Sequence, residues 1–70
     1  MRTVKELREL IDSKQLTEND LKGFVKQLAE NIDKMDLGSL MGFKNYIRVG
    51  AEFLDIDLED LNRVYNSFRK

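Results

Sequence analysis

Chemistry in this chain must be done by carboxylates, amines, guanidiniums and hydroxyls, because its 70 residues include no histidine and no cysteine. That removes the usual neutral-pH proton shuttle, thiolate nucleophiles, disulfides and the commonest zinc ligands. Ser13, Ser39 and Ser67 have no imidazole to activate them. Two carboxylates could share a proton as acid and base, yet nothing in the sequence outlines a pocket, and short helical chains rarely enclose one. We expect no catalytic activity, no metal and no cofactor.

The densest group of ionisable side chains is Glu52, Asp55, Asp57, Glu59 and Asp60, with no base among them. Asp55 to Asp60 resembles the opening of a calcium loop. Such a loop needs glycine at its sixth position and glutamate at its twelfth, and here those places hold Asp60 and Asn66. The acids instead suit the cap and first turn of a helix, where negative charge meets the positive end of the helix dipole. The alternative reading is an acidic contact surface for a basic partner.

Residues 47–66 carry the apolar frame of a DNA-binding helix-turn-helix. Ala51 lies within the first helix, Leu54 and Ile56 flank the turn, and Leu61 and Val64 anchor the second helix. Asp55 stands where glycine is usual, and the second helix would open with Asp57, Glu59 and Asp60 against phosphate. Only Asn62, Arg63 and Asn66 suit DNA contact. With 12 basic and 13 acidic residues, a net charge of −1, the chain has no basic footprint for nucleic acid or an anionic membrane.

These groups need elements to position them, and the sequence supplies four helices. Proline is absent and only four glycines occur, so helices run uninterrupted. Thr3–Glu6 is a capping box, followed by Val4, Leu7, Leu10 and Ile11 at helical spacing. Thr17–Asp20 is a second box, with Leu16 and Leu21 as its hydrophobic staple, followed by Phe24, Val25, Leu28 and Ile32. Asp36, Gly38 and Ser39 mark a break. Asp57 begins the last helix, with Ile56 and Leu61 as staple and Val64 and Phe68 inward.

The expected helices cover 4–13, 18–34, 39–54 and 58–68, with no sheet. Residues 16–25 and 56–65 look alike, either as an internal repeat of two hairpins or because good helix starts resemble one another. The expected architecture is a compact all-α, four-helix single domain over 1–70, with two helical hairpins and the third helix central. No apolar run reaches the roughly 20 residues of a membrane span. The charged start Met1–Glu6 lacks a signal-peptide core, so a cytoplasmic location is expected.

The third helix is unusually apolar. At 100° per residue, Phe43, Ile47 and Leu54 form one core face, while Tyr46, Val49 and Phe53 gather about 100° away. Two readings follow: a central helix packed on nearly every side, or a second face that docks a protein partner or another copy. The function expected from sequence is therefore a non-catalytic interaction or regulatory module, with Tyr46, Val49 and Phe53 as its contact residues. The alternatives are a nucleic-acid-binding regulator using residues 47–66 and a structural subunit of a larger assembly.

Overall fold

The computed structural model describes residues 3–69, and among them there are four α-helices and no strand. They are α1 (Val4–Asp12), α2 (Glu18–Asn31), α3 (Leu37–Leu54) and α4 (Leu58–Phe68), with a single 3-10 turn at Ile32–Lys34 after α2. None of these helices is long and apolar enough to cross a membrane.

Each helix starts on a side chain that takes up free backbone donors. Thr3 accepts from the Glu6 N–H at 3.2 Å. At α2 the box is reciprocal: Thr17 Oγ1 accepts from the Asp20 N–H, and Asp20 from the Thr17 N–H, both at 3.1 Å. Asp57 accepts from the Glu59 N–H at 2.9 Å. Asp36 accepts from the Ser39 N–H at 3.3 Å and the Ser39 hydroxyl at 2.6 Å. That double grip starts α3 at Leu37, two residues before the expected position, and draws Gly38 and Ser39 into its first turn. At the other side of the break α2 stops at Asn31, short of the expected Lys34. The Asn31 amide donates to the Gln27 carbonyl at 2.8 Å as the chain tightens into the 3-10 turn.

Two helices end alike. Lys14 and Asp55 take left-handed backbone angles, with φ of 60° and 56°. After α1, Lys14 N–H donates to Ile11 O and Gln15 N–H to Leu10 O. After α3, Asp55 N–H donates to Glu52 O and Ile56 N–H to Ala51 O. These are the bonds of a Schellman closure, and they turn Leu16 and Ile56 back toward the core.

The helices do not pair in sequence order. The main packing partners are α1 with α3, α3 with α2, and α2 with α4, so the interleaved order α1–α3–α2–α4 replaces two successive hairpins. The third helix is inner, as expected, but shares that position with α2. The reason lies in α2, whose Leu21, Phe24, Val25, Leu28 and Ala29 are all buried. That apolar arc is broad enough to serve two neighbours. Phe24 meets Phe43 of α3 with ring centroids 6.4 Å apart.

The core is Leu7, Leu16, Leu21, Phe24, Val25, Leu28, Ala29, Phe43, Ile47, Ala51 and Leu61. Leu10, Ile11, Leu54 and Val64 pack around it half-buried, and Ile32 is half-buried too. Phe68 departs from expectation. It is exposed at the end of α4, where the Lys26 ammonium of α2 sits 5.6 Å from its ring centroid instead of an apolar neighbour. Beside it, the Arg69 guanidinium donates to the Ala29 carbonyl of α2 at 3.1 Å and lies 3.7 Å from Asp33. Arg69 thus serves the C-terminal end of α2, not that of its own helix.

The tightest approach is at Gly50. A Cβ there would lie 2.9 Å from Leu16 Cδ2, 3.2 Å from Leu21 Cδ1 and 3.7 Å from Ile11 Cδ1. At Gly42 a Cβ would meet only Val4 Cγ1, at 3.9 Å. Alanine gains up to about 1 kcal/mol of helix propensity over glycine, while overfilling a packed core costs about 1–3 kcal/mol. Urea melts should therefore separate the two: Gly42→Ala stabilises by up to about 1 kcal/mol, and Gly50→Ala destabilises by a similar amount or more.

Asp36 gives a pH signature. Its hydrogen bonds from Ser39, the side-chain one foremost, hold its carboxyl below the usual value. A depressed folded pKa means a contribution fully present above the unfolded pKa and lost as pH falls through the folded one. The Tm gap between the wild type and Asp36→Ala should be present at neutral pH and close in strong acid.

Candidate functional site

The expected contact residues lie on one stripe of α3, which the structure covers unevenly. Gly42, Tyr46, Val49 and Phe53 follow one another at helical spacing. Beneath this stripe α1 runs parallel to α3, with Val4 near Gly42 and Ile11 near Gly50. Tyr46 and Val49 are half-buried, and Tyr46 packs against the core. Phe53 is 42% exposed. Helix length explains the gradient: α1 has nine residues to the eighteen of α3. A helix that begins beside Gly42 ends before Phe53.

The acidic candidates are given separate work by the fold. Glu52 is paired with Arg48 at 3.1 Å, and Asp60 with Arg63 at 2.7 Å. Asp57 caps α4, and Asp55 is the left-handed residue that ends α3. Among the described residues no three acidic side chains converge as a metal ion would need. The turn of the 47–66 segment has the left-handed residue that its resemblance to a helix-turn-helix asks for, supplied by Asp55 instead of glycine.

A different feature was not visible in the sequence. Because α3 and α4 both lean on α2 and are not main packing partners of each other, a cleft of about 260 Å³ opens between them. Val25 and Leu28 of α2 form its floor. Ile47, Lys44 and Arg48 line the α3 side, and Leu58, Leu61, Asn62 and Tyr65 the α4 side. Leu58 is 48% exposed at the mouth. The α3 strip that carries Lys44 and Arg48 continues toward the start of the helix as Leu37 and Met41, at spacings of three and four. These two are 71% and 62% exposed, the least covered large apolar side chains of the described residues. Phe53 lies about 140° round α3 from Arg48 and belongs to another side.

Leu37 lies in the break expected before α3, where periodicity gives it no face, and Met41 falls in neither apolar stripe of that helix. Their signal was the mismatch itself: two large apolar side chains in line with Lys44, Arg48 and Glu52. A second hollow, of about 480 Å³, lies between the starts of α1 and α3. It is lined by Thr3, Lys5, Lys34, Asp36 and Ser39 beside a few apolar groups, and Asp36 and Ser39 there are already bonded to each other.

The two aspartate substitutions on the first stripe should behave differently. Phe53→Asp places a charge at a partly open position, where surface changes usually stay within about 0.5 kcal/mol. Tyr46→Asp puts one against the core, where an unpaired charge is costly, and should lower stability by more than about 2 kcal/mol. Thermal melts followed at 222 nm would check both.

No protein-family model matches the chain, and no curated protein or solved structure matches it either.

Proposed function

We propose that this protein is a non-catalytic helical interaction module, and that its contact face is the α3–α4 cleft with the adjoining Leu37–Met41 strip. The observation that carries the reading is exposed apolar surface arranged around a concavity. Leu58 stands half-exposed at a hollow with an apolar floor, and Leu37 and Met41 lie exposed further along the α3 strip that carries Lys44 and Arg48. Contiguous apolar patches rimmed by charge are characteristic of protein contact sites. A short chain with a thin core gains stability when a partner covers such a face.

The nucleic-acid alternative is less well supported by local chemistry. Arg63, the one cation within α4, is paired with Asp60, and the start of that helix carries Asp57, Glu59 and Asp60. Phosphate would meet negative charge first.

Met41→Asp and Leu58→Asp test the reading, since both positions are open enough to accept a charge without loss of the fold. Each variant should retain a cooperative melt within about 1 kcal/mol of wild type. Each should also lose whatever association the wild type shows, whether with itself or with a protein captured from its native lysate. A wild type that associates with nothing, or variants that retain full binding, would overturn the proposal.

A further inference from the structure

The α3–α4 cleft is walled by helical ridges, and we propose that its occupant is an amphipathic helix of a partner protein, acidic along one flank only. This rests on the interaction reading above and names what the face takes. The α4 wall is Leu58, Leu61, Asn62 and Tyr65, the i, i+3, i+4, i+7 stripe of two helical turns. The α3 wall is Lys44, Ile47 and Arg48, also at helical spacing, and Val25 and Leu28 of α2 close the bottom. Two ridges held apart on a third helix leave a trough about 10 Å long, taking the helical rise from Leu58 to Tyr65. A helix laid in it would bury an apolar stripe against Val25, Leu28 and Ile47, as in helix-in-groove recognition. A small molecule fits less well, because the trough is open above and would leave much of it in water.

The walls differ in charge, and that sets the flanks of the occupant. Among the described residues no carboxylate lines the trough, and its charged groups, Lys44 and Arg48, both stand on the α3 wall. The α4 wall is uncharged. Arg48 is already held by Glu52 at 3.1 Å, whereas Lys44 has no ion-pair partner among the described residues. Lys44 is therefore the group that selects an acidic neighbour. The opposite flank meets Asn62 and Tyr65, which suit uncharged polar side chains. Because Lys44 is exposed, its pairing governs the choice of partner more than the strength of binding. Strength comes from Leu58 and the apolar floor.

Two synthetic amphipathic peptides decide the matter. Both carry leucines at i, i+3, i+4 and i+7 and glutamines on one flank; the other flank is glutamate in the first and lysine in the second. Binding is read from the methyl resonances of Val25, Ile47 and Leu58 in the full chain. The glutamate peptide should shift all three and bind about fivefold or more tighter than the lysine peptide at low salt. The gap should narrow as salt is raised. Lys44→Gln should remove the preference and Lys44→Glu reverse it, while Leu58→Asp should abolish binding of both peptides. Circular dichroism on the same samples verifies that each variant is folded. Equal affinity for the two peptides, a preference that Lys44→Glu leaves unmoved, or methyls that neither peptide shifts would each overturn the proposal. So would a wild type whose own dilution moves the same methyls, since a second copy would then be the occupant. The interaction reading outlives any of these results if Leu58→Asp still removes an association that the wild type shows, and falls with them if the wild type shows none.

Discussion

Gly50 has no side chain, and three stretches of chain converge on the space that one would fill. The end of α1 arrives through Ile11, the connection through Leu16 and the start of α2 through Leu21. Leu16 and Leu21 are buried at that point, so neither has much room to yield. Their closeness to the α3 backbone lets one long helix hold α1 on one side and α2 on another. A methyl group at this position would push on both leucines together, which is why a residue that weakens an isolated helix suits the assembled one.

The cleft follows from the same economy of contact. Interior positions of α2 are divided between α3 and α4, leaving these two helices to meet mainly at the turn around Ile56. A larger protein would close the gap with a further helix. Among the described residues no element fills it, and the apolar floor of Val25 and Leu28 is reached from outside. Leu58 at its mouth, and Leu37 and Met41 further along α3, are exposed apolar side chains that a thin core does not cover.

Helix starts were readable because their chemistry is local. Thr3, Thr17 and Asp57 each act within three residues of themselves, and all cap where the sequence places them. The 34–39 break was harder to read because Asp36, Gly38 and Ser39 all favour turns. Only the bonds between Asp36 and Ser39 decide which of them is the cap. Periodicity gave the inward faces but not how far each neighbour extends. Phe68 lies on the inward side of α4 and is nevertheless exposed, because α2 presents Lys26 there. Leu16 was identified as a staple residue and proves to be core, since the Schellman bond at Gln15 folds it under α3. The packing order and the cleft rest on contacts between segments distant in sequence, and no local pattern encodes those.

The interleaved order has a consequence for how the chain reaches its native state. The principal partner of α1 is α3, and that of α4 is α2, so a chain divided at the 3-10 turn would separate both pairs. Neither half then holds a complete core. As the polypeptide emerges from a ribosome, α1 must wait until roughly 38 further residues have been made before the α3 positions it packs against exist, and closing a loop of that length carries an entropic cost. Assembly is therefore expected to be all-or-none instead of hairpin by hairpin. The short first helix becomes the natural candidate for exchange between chains when folding is crowded.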